Sequence, residues 1–329
     1  MSDTPENTAQ SSASPSAPGR IGELSVSPLA LGGNVFGWTA DQPTSFAVLD
    51  AYLDGGGNFV DTADGYSSWV EGNSGGESET VIGEWFAARG SSVRERVVLA
   101  TKAGAHPDHR GLAPATLKAA LEDSLRRLRT DHVDLFYTHF DDESVEVGDI
   151  ITTLDGFVKE GKVREIGASN ISAARLEASL AYSDASGSAR YTALQPHYNL
   201  VSRDTYEGEL EAVAARDSLA VVPYYALASG FLTGKYRPGQ EVQDSARSGK
   251  AAQLLATDKG QRVLAALNTV AQAHQASEAT IALAWLAAQP TVTAPLASAR
   301  TVEQLPALMA VGTTRLADDE VRLLTEASA

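Results

Sequence analysis

The chain has 329 residues, 43% of them hydrophobic, which suits one large core, and a single α/β barrel of roughly 250 residues plus insertions fits that length. It contains no cysteine, which excludes disulfides, thiolate catalysis and cysteine-based zinc sites. A formal charge of −16 argues against a broad nucleic-acid-binding surface, and no apolar run reaches the about 18 residues of a membrane-spanning helix, so a cytoplasmic location is expected.

Residues 1–20, MSDTPENTAQSSASPSAPGR, are rich in Ser, Ala, Pro and Thr and lack the basic start and apolar centre of a signal peptide. They read as a disordered tail ahead of one domain over 21–329, with residues 21–27 as a short cap over the barrel's bottom. Strand-like segments follow at 29–31, 58–61, 97–101, 133–138, 164–168, 191–195, 219–223 and 292–295. Helix-like segments alternate with them at 45–55, 77–89, 114–129, 147–160, 171–184, 207–217, 278–288 and 301–310, and 314–327 reads as an extra terminal helix. Eight strands alternating with helices predict a parallel sheet, and eight is the number that closes a (β/α)8 TIM barrel. Within 114–129, Leu117, Ala120, Leu121, Leu125 and Leu128 recur mostly at spacings of three and four, and Pro114 suits the first helical position. Gly161 suits a stop for the preceding helix. Two long loops stand out, 67–76 after the second strand and 236–260, with Arg237, Pro238 and Gly239, after the seventh; loops of this length in a barrel are usually functional or mobile.

Polar residues cluster at the strand ends, where such a barrel keeps its active site. Asp61 closes the second strand and Tyr66 follows five residues later; Lys102 follows the third strand and His139 the fourth. Each has an ordinary alternative: a turn cap, a solvated charge, a packed aromatic, a satisfied core histidine. Together, on three successive strands, they form a set suited to proton donation. Tyrosine titrates near 10 and benefits from a nearby cation to exchange a proton near neutral pH. A buried Lys102 supplies that cation and Asp61 its counterion, while His139 can hydrogen-bond a carbonyl oxygen or share its proton. The set suits carbonyl reduction, with a hydride arriving at carbon and Tyr66 protonating oxygen.

A hydride needs a carrier, and no flavin or metal signature is present. Ser169, Asn170 and Gln195 can hydrogen-bond a carboxamide, Tyr224 offers a flat face for a nicotinamide ring, and Ser229, Gly230 and Leu232 open a loop whose backbone N–H groups can hold a pyrophosphate. Ser169 and Asn170 have a serious rival role as the cap of a helix starting near Ile171. No Gly-x-Gly-x-x-Gly follows a strand, so a Rossmann site is not indicated. Gly32-Gly33 fits a close backbone approach at the barrel mouth, and Ser298 to Arg300 precede a helix start that can receive a phosphate.

The segments LGGNVFG (31–37), NFVDTADGYS (58–67), GESETVIGEW (76–85), LATK (99–102), DLFYTHF (134–140), VREIGASN (163–170), LQPHYNL (194–200), PYYALASGFLTGKY (223–236) and APLASARTVEQL (294–305), in this order, resemble the aldo-keto reductases over residues 21 to 327. The resemblance implies a (β/α)8 barrel that reduces aldehydes and ketones with NAD(P)H and without a metal. It implies Asp61, Tyr66, Lys102 and His139 as the catalytic four, with Tyr66 as acid. It implies nicotinamide contacts at Ser169, Asn170, Gln195 and Tyr224, with the backbone from Gly33 through Asn34 to Val35 nearby. Leu227 to Leu232 and Lys235 are implied at the pyrophosphate, and Ser298, Arg300 and Gln304 around the adenosine end. Tyr225-Ala226-Leu227 stands where family members commonly have Ser-Pro-Leu after the tyrosine. Ala307 and Leu308 stand where the family often has Glu-Asn on the adenine. Arg300 remains and can pair with a 2′-phosphate, so NADP(H) is preferred and NAD(H) is possible.

The expected substrate is a small aldehyde, ketone or oxidised sugar, with Trp38 and Trp69 either shaping the pocket or merely anchoring loops. One alternative is a cofactor-binding regulatory subunit of the same fold with slow or no turnover. Another is a Schiff-base aldolase with Lys102 as nucleophile.

Overall fold

A computed structural model describes residues 18–237 and 248–329. Residues 1–17 of the expected tail, and Pro238 and Gly239 of the expected loop, lie outside the described residues. The chain opens with an antiparallel hairpin of β1 (Gly19–Ile21) and β2 (Leu24–Val26), so Gly19 and Arg20, expected in the tail, are paired strand residues. Ile21 and Val26 are fully buried in one cluster with Ala30, Phe59, Ala100, Leu135 and Ala193. The hairpin therefore plugs one mouth of the barrel with its apolar side chains.

Barrel strands and helices then alternate: β3 (Ala30–Gly32), α1 (Gln42–Asp54), β4 (Phe59–Asp61), α2 (Glu77–Arg89), the short α3 (Ser91–Arg94) and β5 (Val98–Ala103). A small hairpin, β6 (Ala105–His106) with β7 (His109–Arg110), precedes α4 (Pro114–Leu128). Next come β8 (Val133–Thr138), α5 (Val147–Lys159), β9 (Val163–Ser169), α6 (Ala173–Ser186), β10 (Tyr191–Gln195), α7 (Glu209–Arg216) and β11 (Ala220–Val221). A 3₁₀ segment at Ala228–Thr233 leads toward α8 (Ser248–Leu255), α9 (Asp258–His274) and α10 (Glu278–Ala287). The last elements are β12 (Leu296–Ala297), α11 (Leu305–Met309) and α12 (Asp318–Ala327).

The sheet runs β11-β10-β9-β8-β5-β4-β3-β12, and every adjacent pair is parallel. Its two ends meet where the Val221 amide donates to Thr291 O at 3.1 Å, Thr293 to Val221 O at 2.9 Å and Leu296 to Pro223 O at 3.0 Å. These bonds close the ring, as eight parallel strands require. Inward side chains form the Ile21–Phe59–Leu135 cluster, and outward ones pack with the helices in a larger shell around Phe136, Trp85 and Trp285. Four helices, α1, α6, α9 and α10, start where a short polar side chain satisfies an orphan amide: Asp41 accepts from Thr44, Ser172 from Arg175, Thr257 from Gly260 and Ser277 from Thr280.

Three expectations about elements need correction. The strand expected at 292–295 is displaced to Leu296–Ala297, because Pro295 has no N–H for a ladder and offers only its carbonyl, to Ala30 at 3.0 Å. The helix expected at 301–310 is a 3₁₀ turn at Val302–Gln304, the short α11 with Pro306 in its first turn, and a second 3₁₀ turn at Ala310–Gly312. The stretch read as a loop over 236–260 contains α8 and the start of α9.

Candidate active site

The C-terminal end of β4 delivers Asp61, and β5 delivers Lys102 beside it, both fully buried. Lys102 Nζ lies 2.5 Å from Asp61 Oδ1, 2.7 Å from the Thr62 carbonyl and 3.0 Å from Tyr66 Oη. Those three partners match the three protons of an ammonium. Burial pulls the Lys102 pKa down, but the Asp61 charge and the hydrogen bonds to Asp61 and Tyr66 outweigh it, and the net shift is upward. A lysine held charged with every donor engaged is poorly suited to nucleophilic attack, which disfavours the Schiff-base reading.

Burial raises the Tyr66 pKa and the Asp61 charge adds to this; Lys102 offsets only part of it. The pull of the cation thus does not prevail, and Tyr66 stays a protonated phenol at neutral pH with a cation beside its oxygen. His139 follows β8, and its ring meets Tyr66 edge to face at 5.8 Å and stacks on Phe140 at 4.8 Å. Burial, with the Lys102 charge, lowers the His139 pKa to about 3. The imidazole is therefore neutral and offers one N–H.

Gln195, expected on a ligand, donates from Nε2 to Asp61 Oδ2 at 2.9 Å and so holds the counterion of Lys102. Ser169 Oγ donates to Gln195 O at 2.8 Å. Asn170, left-handed at φ +49, donates to His139 O at 2.8 Å and to Ser169 Oγ at 3.1 Å, and accepts from Tyr224 Oη at 2.6 Å. The cap of α6 is Ser172, so the rival capping role of Ser169 and Asn170 is overturned. Tyr224 is half-buried, with one ring face stacked on His197 at 5.5 Å.

Gly33 is packed so closely that a Cβ there would lie 2.8 Å from Ser78 Oγ and 3.2 Å from Asp61 O, and its amide donates to that carbonyl at 2.7 Å. Asn34 Oδ1 accepts from Ser298 Oγ at 2.5 Å, while Val35 is buried and its carbonyl binds the amides of Trp38, Thr39 and Ala40. In the segment after β11, the amides of Gly230 and Leu232 both donate to Leu227 O, at 2.9 and 3.2 Å. Those two amides, expected to face a pyrophosphate, are engaged within their own turn; Leu232 is fully buried. Ser229 and Gly230 are left-handed, and the exposed Lys235 lies over the Tyr236 ring at 4.9 Å, near enough that a Cβ on Gly230 would be 3.4 Å from its Nζ. Gln304 Oε1 accepts from the Arg300 amide at 2.8 Å, removing one of the N–H groups expected for a phosphate. The Arg300 side chain is exposed, and no carboxylate among the described residues pairs with it.

Trp38 and Trp69 meet edge to face at 5.6 Å, and Trp69 meets Tyr66 at 6.2 Å. Trp69, Phe140 and Tyr225 are 53%, 50% and 42% exposed, unusual for large aromatics, and all three lie at strand-end loops around Tyr66. Phe140 and Tyr137 were missed in the sequence, where Tyr225 stood out only as a departure from the family's usual residues. Tyr137 shares the inward strand alternation of Leu135 and His139, and its buried hydroxyl is pushed well above its ordinary pKa by burial and the Asp61 charge. Among the described residues no cluster of His, Asp and Glu could hold a metal ion, and no helix is long and apolar enough to cross a membrane.

The model of the aldo/keto reductase family matches residues 28–329. The chain is 37% identical over 297 residues to an uncharacterized oxidoreductase, YrpG, of Bacillus subtilis, covering 87% of each chain. It is 33% identical over 315 residues to the norsolorinic acid reductase stcV of Emericella nidulans, with 91% of this chain and 77% of that one covered. It is 29% identical over 332 residues to an aryl-alcohol dehydrogenase [NADP(+)] of Phanerodontia chrysosporium, with 92% and 83% covered.

Proposed function

The chain belongs to the aldo/keto reductase family of oxidoreductases, and on that premise we propose that it reduces aromatic aldehydes or ketones with NADPH, Tyr66 acting as the acid. The observation that carries this reading is the Asp61–Lys102–Tyr66 chain, in which a protonated phenol sits 3.0 Å from a buried ammonium. The exposed aromatic rim of Trp69, Phe140 and Tyr225 supports a flat substrate over a sugar. The relative named as an aryl-alcohol dehydrogenase [NADP(+)] supports both the substrate class and the cofactor.

The residues present fit a nicotinamide dinucleotide. The half-buried Tyr224 ring, stacked on His197, offers an aromatic surface for the nicotinamide. Arg300 is a guanidinium with no carboxylate partner among the described residues, suited to a 2′-phosphate. When bound, the cofactor supplies a hydride to the carbonyl carbon. The neutral imidazole of His139 orients the carbonyl oxygen through one N–H. Tyr66 Oη gives its proton to that oxygen, and the Lys102 ammonium stabilises the phenolate left behind. Asp61, braced by Gln195, keeps Lys102 charged.

Fluorescence titration with NADPH and NADH, followed by turnover with aromatic and sugar carbonyls, tests the reading. NADPH should bind about tenfold or more tightly than NADH, as one charge-assisted phosphate contact allows, and Arg300→Met should erase the difference. Equal binding of both cofactors by the unaltered protein would remove the phosphate role of Arg300. Turnover of sugars but not aromatics would remove the aromatic assignment.

A further inference from the structure

Beside the Tyr66 turn lies a second charged cluster that the reduction derived above does not use. Asp64, two residues before Tyr66, is 1% exposed. Its backbone amide donates to Lys102 O at 3.0 Å, and its Oδ2 accepts from the Gly104 amide at 3.3 Å. Asp64 thus staples the Tyr66 turn to β5 on both sides of Ala103. Its Oδ1 is buried with no hydrogen-bond partner.

The groups around it leave a charge imbalance. Glu79 of α2 is fully buried and takes the guanidinium of Arg127 of α4 at 2.7 Å; it also accepts from Thr101 Oγ1 at 2.5 Å. His106 of the β6–β7 hairpin approaches from the side of Gly75, where a Cβ would lie 2.8 Å from the imidazole Nε2 and 3.5 Å from Asp64 O. Lys102 and Asp61 form their own balanced pair. Two buried carboxylates therefore share one cation, and that cation is committed to Glu79. An unpaired buried charge is strongly disfavoured, so a proton on Asp64 is the least costly balance. Burial and the Glu79 charge, against the Arg127 charge and the Gly104 and Gly65 amides, raise the Asp64 pKa to about 7.

We propose that Asp64 is a positioning residue for the proton donor, holding the Tyr66 turn against β5 as a neutral acid and loosening that hold when it ionises. An ionised Asp64 competes with Glu79 for Arg127. The Arg127 side chain packs on Gly76, where a Cβ would come within 2.4 Å of its Cδ, so its displacement disturbs the loop that carries Trp69 as well as the turn that carries Tyr66. The inference rests on Tyr66 as the acid of carbonyl reduction.

The test compares pH profiles of kcat for the full chain and its Asp64→Asn variant with NADPH and an aromatic aldehyde. The unaltered protein should lose about tenfold in kcat as pH rises through the ionisation of Asp64, a smaller loss than a full ångström of misplacement causes. Asp64→Asn should keep the low-pH rate, flatten that limb and raise Tm at alkaline pH, since a neutral amide escapes the cost of a buried charge. A merely structural residue would change Tm without removing an ionisation. Infrared pH-difference spectra of the unaltered protein give a readout that needs no variant: a buried protonated carboxyl should bleach near neutral pH. An unchanged limb in Asp64→Asn, or no such carboxyl band, overturns this inference alone. Absence of carbonyl turnover in the unaltered protein would overturn it together with the proposed function.

Discussion

Replacing Lys102 by methionine isolates the electrostatics of the site. Both side chains of the Asp61–Lys102 pair are fully buried and 2.5 Å apart, so the substitution leaves Asp61 with Gln195 Nε2 as its remaining side-chain donor. Breaking a buried pair from one side costs about 3–5 kcal/mol. Asp61 can limit that loss by taking up a proton. From an ordinary carboxyl pKa of about 3.9, protonation costs about 4 kcal/mol at pH 7 and about 1.5 kcal/mol at pH 5. Lys102→Met should therefore destabilise by about 4 kcal/mol at pH 7 and by much less at pH 5, and Asp61→Asn/Lys102→Met should recover most of the loss. Urea denaturation of the three proteins at both pH values measures this. A loss below about 1 kcal/mol at pH 7, or a double variant no more stable than Lys102→Met, would refute a desolvated, mutually dependent pair.

With its pKa lowered to about 3, His139 stays neutral in the folded state while the unfolded chain protonates near 6.5. Its contribution to stability is complete above about pH 6.5 and is lost as pH falls toward the folded value, and its imidazole proton shifts in NMR should stay constant above about pH 5. Titration of that ring near 6.5 would contradict the burial argument. Asp64 has the opposite sign: its pKa is raised to about 7, so its stabilising contribution is complete below about pH 4 and is lost as pH rises through 7. The difference in denaturation midpoint between Asp64→Asn and the unaltered protein, followed with pH, should grow across that window, and a constant difference would sink it. Trp69→Ala should raise KM for an aromatic aldehyde more than it changes the cofactor Kd, since Trp69 meets Tyr66 at 6.2 Å. An unchanged KM would remove Trp69 from the pocket.

Much of the barrel was legible because parallel strands buried on both faces read as short apolar runs, and the polar residue ending each run marks the open mouth. Asp61, Lys102 and His139 were visible for that reason. What each residue bonds to was less visible. Gln195 and Asp61 are 134 residues apart, and nothing local says that this amide braces a carboxylate. The amides of Gly230 and Leu232 looked free because a glycine-containing segment suggests open backbone, whereas the left-handed turn folds both onto Leu227 O. Helix α9 was missed despite its buried Val263, Leu264, Leu267, Val270 and Ala271 at helical spacing, because the Pro-Gly start of the preceding stretch suggested one long loop. Asp64 reads as a turn residue beside glycine; only the packing of α2 and α4 reveals that it is buried beside a second carboxylate.

Whether Tyr66 is the acid of an NADPH-dependent carbonyl reductase is decided by comparing the unaltered protein with Tyr66→Phe in NADPH oxidation by an aromatic aldehyde, with NADPH affinity measured on both. With Tyr66 as the acid, kcat should fall about 10²–10⁴-fold, the usual contribution of a positioned acid, with the NADPH Kd essentially unchanged. A Tyr66→Phe enzyme that turns over within about tenfold of the unaltered rate would contradict it, because the proton would then come from another group.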